Sequence, residues 1–147
     1  MVDVSKKPSS LREAVASGIV YVNDETFKLI SGGGLKKGDV LAVAQVAGIM
    51  AAKRTSDIIP MCHPVVITGV DISFTLNNEN TSVEINATVR CNGETGVEME
   101  ALTAVSAAAL TIYDMCKSIQ KDIKISDILL LKKTGGKSGD YIHEQQK

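Results

Sequence analysis

The chain has 147 residues, 44% hydrophobic against 22% charged, and a formal net charge of −1, the balance of a single globular domain with one core. Near-neutral charge excludes a general nucleic-acid binder, which needs a concentrated basic surface. With 3% aromatics and no Trp, little aromatic surface is left for stacking on bases, although a local basic pocket for a phosphorylated small molecule remains open.

Cys62, Cys91 and Cys116 form no C-x-x-C pair. An odd count without metal spacing points to a reducing compartment rather than a disulfide framework. Met1-Val-Asp-Val-Ser-Lys-Lys7 lacks the apolar core of a signal peptide. The stretch Ala101 to Tyr113 is too short and too rich in Ala, Thr and Ser to span a membrane. A soluble cytoplasmic protein is expected.

Residues 1–14 are polar and read as irregular. Ile19-Val-Tyr-Val22 reads as a short strand. Asn23 or Asp24 caps a short helix through Ile30, which Gly32-Gly-Gly34 ends. Asp39 caps the next helix, with Val40, Val43, Ala47 and Met50 at helical spacing, and the helix must end before Pro60. Val70, Ile72, Phe74 and Leu76 alternate with Asp71, Ser73 and Thr75. Val83, Ile85, Ala87, Val89 and Cys91 repeat the pattern. Asn77-Asn-Glu-Asn80 between them carries turn residues, so a hairpin is expected. A long helix follows, from about Val97 or Glu100 to about Gln120, and Ile123 to Leu131 reads as a last strand. The tail from Thr134 is rich in Gly, Ser and Lys.

This order predicts an α+β, ferredoxin-like split βαβ sandwich, with an antiparallel sheet and helices packed on one face. It forms one domain over residues 1–147, with 1–14 and 134–147 as mobile segments. The long helix carries no charge from Ala101 to Ile112. A helix apolar all round is buried on more than one side, and in so small a chain a second subunit is the simplest cover.

Charge returns where that helix ends. Asp114 and Lys117 lie about 60° apart around it, with Lys121 between their directions. Two readings are open. One is an i,i+3 ion pair on a solvated helix end. The other is a general acid/base lysine oriented by an aspartate, which needs a lysine pKa lowered by burial or nearby cations. In Gly93-Glu-Thr-Gly-Val-Glu-Met-Glu100 the carboxylates suit a helix N-terminus. Alternatively, if the chain is still extended there, Glu98 and Glu100 share one face and accept from cations or ring NH donors. His63, in Pro60-Met-Cys-His-Pro64, is either a structural turn histidine or a proton-transfer group. Cys62 beside it shows no sign of a nucleophile, and His63 with the scattered cysteines makes no zinc spacing. His143 reads as incidental. Lys36-Lys-Gly-Asp39 is a solvated loop or an anion site at a helix start, and Lys53-Arg54 is surface charge or a second one. Gly136-Lys-Ser138 is no P-loop, because position 131 is Leu and only nine residues follow Ser138. Lys132, Lys133 and Lys137 still allow the tail to close over a phosphate.

Together these segments resemble one family. Lys37-Gly-Asp-Val40, Ala51-Ala-Lys-Arg-Thr55, Ile59-Pro-Met-Cys-His-Pro64, Thr95-Gly-Val-Glu-Met-Glu-Ala-Leu-Thr103, Leu110-Thr-Ile-Tyr-Asp-Met-Cys-Lys117 and Gly135-Gly-Lys-Ser-Gly-Asp140 look like the motifs of cyclic pyranopterin monophosphate synthase, the molybdenum cofactor biosynthesis protein C family. The resemblance runs almost end to end. It implies a lyase that converts 3′,8-cyclo-7,8-dihydro-GTP to cyclic pyranopterin monophosphate, with release of pyrophosphate and no cofactor or metal. It places catalytic roles on Asp114, Lys117 and Lys37. It places substrate contacts on His63, Cys62, Glu98, Met99 and Glu100, and further phosphate contacts on Lys53, Arg54 and Lys133. It also implies a homohexamer, a trimer of dimers with sites at the dimer interface. Two other classes compete: a non-catalytic nucleotide-binding regulatory module of the same fold, and a purely structural oligomer.

Overall fold

The computed structural model describes residues 1–144. The alternating segments form β2 (Ile67–Asn77) and β3 (Ser82–Gly93), joined as the expected hairpin. Asn23 caps α1 (Asp24–Gly32), its Oδ1 accepting from the Thr26 N–H at 2.8 Å, and Gly33 closes that helix in the left-handed region at φ 68°. Asp39 caps α2 (Val40–Ala52), with Oδ1 accepting from the Leu41 and Ala42 N–H groups at 3.0 and 3.1 Å. One turn, α3 (Thr55–Ile58), follows before Pro60. The long helix α4 covers Glu98–Cys116, with Lys117 as its C-cap, and β4 covers Lys124–Thr134.

The sheet runs β2-β3-β1-β4-β5, with every neighbouring pair antiparallel. This is the ferredoxin-like order, extended by a short β5 (Tyr141–Ile142) on the β4 edge. The tail from Thr134, expected to be a mobile segment, therefore carries a paired strand.

The N-terminal expectation needs correction. β1 spans Ser10–Tyr21 and lies between β3 and β4 at the centre of the sheet, so the irregular segment does not reach residue 14. Two features hid this strand. Its helix-facing residues are small, Ala14, Ala16 and Gly18, because α4 comes close: a Cβ on Gly18 would lie 2.7 Å from Val105 Cγ1. Its charged Glu13 faces the open side of the sheet, where Arg90 Nε donates to it at 2.8 Å and Lys132 Nζ lies 3.4 Å away. Cross-strand partners of this kind, absent from local propensity, decide strand preference.

Helix α4 packs on β1, β3 and β4, while α2 covers β2 and runs beside α4. The two helices are antiparallel. Lys37, just before α2, reaches Asp114 near the end of α4, and Gly48 faces Ala104. The second side of α4 is thus covered largely by α2 of the same chain. Among the exposed apolar side chains, Val43, Val46 and Met50 lie on α2 and Leu110 on α4.

Gly48 sets the distance between these helices. A Cβ there would meet Ile72 Cδ1 at 2.5 Å and the Ala104 carbonyl oxygen at 2.9 Å, and backbone cannot yield as a side-chain tip does. Gly48→Val is expected to cost about 1–3 kcal/mol by overpacking. That lowers the thermal midpoint by roughly 2–10 °C, measurable by circular dichroism. An unchanged midpoint would show that the helices part freely.

Candidate active site

At the C-terminal end of α4, Asp114 bridges two lysines. Lys117 Nζ lies 2.6 Å from Asp114 Oδ1. Lys37 Nζ lies 3.3 Å from Oδ2 and also donates to the Asp114 carbonyl oxygen at 3.1 Å. The i,i+3 pair read from the sequence is formed, and Lys37 joins it from the loop before α2. The three side chains are 48% (Lys37), 57% (Asp114) and 54% (Lys117) exposed, so the cluster is open to an incoming group. Lys117, then Lys37, holds the Asp114 carboxyl below its ordinary pKa. Asp114 in turn raises the pKa of Lys117. Within one chain Lys117 therefore starts as the ammonium, and the lowered pKa required of a resting general base is not present. Two cations around one carboxylate leave a net positive charge, suited to phosphate or another anion.

The other end of α4 gathers different chemistry. Cys62, His63, Glu98, Met99 and Glu100 line a cavity of about 160 Å³ with Thr95 and Gly96. The extended reading of Glu98 and Glu100 fails, because α4 has begun at Glu98 and their directions differ by about 200° around a helix. Both still border this cavity, since the Glu98 carboxylate folds back over Gly96, where a Cβ would collide with it. Glu100 is only 4% exposed. Burial, with help from the neighbouring Glu98 charge, pushes its carboxyl above the usual range. His63 Nε2 is 2.7 Å from the Val2 carbonyl oxygen. A carbonyl only accepts, so Nε2 carries the proton, and in the neutral ring Nδ1 is the acceptor.

Cys62 is no nucleophile here. Burial raises its thiol pKa, and Glu100 adds to the shift; burial does the same for Cys91 and Cys116. Alkylation by iodoacetamide at pH 7.5 is expected to be at least about tenfold slower in the folded chain than in the denatured chain. Mass spectrometry checks this, and rapid labelling of Cys62 would overturn it.

A larger cavity, about 720 Å³, adjoins this end. Lys7, Arg12, Lys133 and Lys137 line it with Glu94 and Glu98. Arg12 is held at its mouth, Nε donating to the Gly93 carbonyl at 2.8 Å and Nη2 to that of Glu94 at 3.1 Å. Sequence reasoning missed Arg12 because the strand bearing it reads as irregular; Arg12, Ala14, Ala16 and Gly18 at every second position were the available signal. Lys133 lines this cavity too, its ammonium hydrogen-bonded to the Ser138 hydroxyl. Lys53 lines a further cavity of about 340 Å³ that shares Val65 with the one around His63. Arg54 is exposed at the start of α3. No three or more His, Cys, Asp or Glu side chains converge in a metal-binding group among the described residues.

The expected site residues thus fall into two groups. His63, Cys62, Glu98, Met99, Glu100 and Lys133 gather at one end of α4, with Lys53 nearby. Asp114, Lys117 and Lys37 gather at the other. From Glu98 to Asp114 the helix rises about 24 Å, too far for one small molecule to touch both within one chain.

A family model described as the MoaC family matches residues 1–136. The chain is 65% identical over 144 residues to a protein of Thermoanaerobacter pseudethanolicus named cyclic pyranopterin monophosphate synthase, covering 98% of this chain and 91% of the relative. Proteins of the same name from Heliobacterium modesticaldum and Clostridium acetobutylicum are 61% and 59% identical, over 99% and 96% of this chain and 91% and 88% of theirs. With a match spanning nearly its whole length, the chain belongs to the MoaC family.

Proposed function

We propose that this chain is a lyase of molybdenum cofactor biosynthesis, converting 3′,8-cyclo-7,8-dihydro-GTP to cyclic pyranopterin monophosphate and pyrophosphate by general acid/base catalysis. The name shared by its relatives supports the reaction. The observation that carries the site assignment is a carboxylate-bearing cavity opening at Glu98 into a basic one. Glu98, with Glu100 behind it, accepts hydrogen bonds from the NH-rich edge of the guanine-derived ring. Arg12, Lys133 and His63 hold the triphosphate, with Cys62 and Met99 in the wall and Lys53 and Arg54 as outer phosphate contacts. When the cyclic phosphate forms, a hydroxyl oxygen bonds to the α-phosphorus and the bond to the bridging oxygen of pyrophosphate breaks. Lysine ammonium groups stabilise the departing charge. Asp114, Lys117 and Lys37 are assigned the proton transfers of ring opening and reclosure.

These roles require both ends of α4 in one site. A twofold axis across the helix, placing one protomer's Glu98 end beside its partner's Asp114 end, achieves this. The exposed Val43, Val46, Met50 and Leu110 give the helix layer a face to bury. We assign the chain to a homo-oligomer, a hexamer built as a trimer of dimers, working in the reducing cytoplasm. No helix of the described residues is long and apolar enough to cross a membrane.

Incubation with the cyclic GTP-derived intermediate tests the reaction, with cyclic pyranopterin monophosphate and pyrophosphate expected in equal amounts. Binding of the intermediate without either product would favour the regulatory-module reading.

A further inference from the structure

Residues 135–140 form the loop between β4 and β5, and Gly136, Lys137 and Ser138 of that loop line the basic cavity. The loop braces itself. The Gly135 N–H donates to Asp140 Oδ1 at 3.2 Å, and the Gly139 N–H donates to the Gly136 carbonyl at 3.2 Å. Gly136 and Gly139 both lie in the left-handed region, at φ 83° and 70°, where a side chain is strained. Their surroundings differ. A Cβ on Gly139 would meet nothing within 4 Å, whereas one on Gly136 would overlap Arg12 Nη1. At the neighbouring Gly135 the obstacle is the Leu11 carbonyl oxygen.

Those obstacles yield differently. The Leu11 carbonyl belongs to the backbone of the central strand and stays where it is. The Arg12 guanidinium is the tip of a flexible side chain, so a Cβ at position 136 displaces the fork rather than the fold. Arg12 Nε and Nη2 are already committed to the carbonyls of Gly93 and Glu94, at 2.8 and 3.1 Å. Among the described residues Nη1 has no such partner, which leaves it for an anion. It is also the atom against which Gly136 lies.

We propose that Gly136 is a positioning residue for Arg12: the side chain it lacks is the space in which the guanidinium fork stands, with Nη1 free for the substrate's phosphates. The inference rests on the phosphate role given to Arg12 above and adds what holds that fork in register. The glycine acts on the arginine and not on the ligand. A side chain at 136 turns the fork away from the cavity while Lys133 and Lys137 keep their places. Arginine suffers more from this than lysine would, because its value to a phosphate lies in a planar, fixed fork.

The test uses the full-length oligomer and inorganic triphosphate, titrated by calorimetry. Gly136→Ala is expected to bind triphosphate about tenfold more weakly. Gly139→Ala carries the same kind of backbone strain without the collision and is expected to stay within about twofold of the unaltered chain. Arg12→Lys supplies the decisive background, since lysine keeps the charge and has no Nη1. Adding Gly136→Ala to Arg12→Lys is expected to cost no more than about a further twofold. A loss caused by loop strain, or by misplaced Lys137 and Ser138, would instead be about tenfold in both backgrounds. Equal losses in the two backgrounds overturn the proposal, and so does a Gly139→Ala chain that binds as weakly as Gly136→Ala. If Arg12→Lys weakens binding and Gly136→Ala alone does not, the phosphate site stands and only this inference is lost. If the unaltered chain does not bind triphosphate, the phosphate reading falls and this inference falls with it.

Discussion

Lys117→Ala is expected to lower kcat for conversion of the cyclic intermediate by about 10²–10⁴-fold, the usual contribution of a positioned acid or base, while leaving the thermal midpoint nearly unchanged. The two halves of that expectation have separate causes. Lys117 is more than half exposed and pairs with an equally exposed Asp114. Such pairs contribute about 0–1 kcal/mol to stability, so removing the ammonium costs the fold little. For the reaction, Lys117 is assigned a proton. Asp114 raises its pKa, so it enters the cycle charged, and its first transfer is a donation. Lys117→Arg separates this from a purely electrostatic role. Arginine keeps the charge and a partner for Asp114 but holds its protons throughout the working pH range. If the proton matters, arginine is nearly as inactive as alanine. If arginine recovers to within about tenfold of the unaltered enzyme, Lys117 only neutralises phosphate charge. Asp114→Asn adds a third comparison. It removes the group that binds both Lys117 and Lys37, lets the Lys117 pKa fall, and is expected to move the pH–rate profile towards lower pH.

Much of this arrangement was readable before any coordinates. Strict alternation in β2 and β3, the caps Asn23 and Asp39, and the uncharged run in α4 all describe contacts close in sequence, and each element appeared where these signals put it, although α4 ends at Cys116 and not near Gln120. What failed depended on distant neighbours. β1 contributes Ala14, Ala16 and Gly18 to seat α4, and its Glu13 is made tolerable by Arg90 and Lys132 from two other strands. Nothing within residues 10–18 announces those partners. Arg12 was missed for the same reason. Glu98 and Glu100 turned on whether α4 begins before or after them, a matter of two residues, and helix ends are the least determined part of such a reading. The separation of the site into two halves is different, because it was implicit in the sequence. A helix from about residue 97 to 120 already puts Glu98 and Asp114 at opposite ends, and motif matching does not say which chain supplies each motif.

That separation yields the second large effect, a recovery of activity from two inactive proteins. Glu98→Gln removes a carboxylate at one end of α4, and Lys117→Ala removes the ammonium at the other. Each alone is expected to retain no more than about 1% of activity. Let the two be mixed in equal amounts under conditions where subunits exchange. Random pairing makes about half of the dimers mixed. If each site takes Glu98 from one protomer and Lys117 from its partner, a mixed dimer has one site carrying both lesions and one carrying neither. About a quarter of all sites are then intact, and activity rises to about 25% of the unaltered enzyme. If a site draws both residues from the same chain, every site keeps one lesion and mixing restores nothing. The result does not depend on the size of the oligomer. It depends only on the rise of α4, about 24 Å between the two residues, which a single substrate cannot bridge and a twofold axis can. A control pair altered at one end only, Glu98→Gln with His63→Ala, places both lesions beside the same cavity. Those chains cannot complement across the axis, because every site in every dimer still carries one of the two changes, so that mixture is expected to stay inactive while the first recovers.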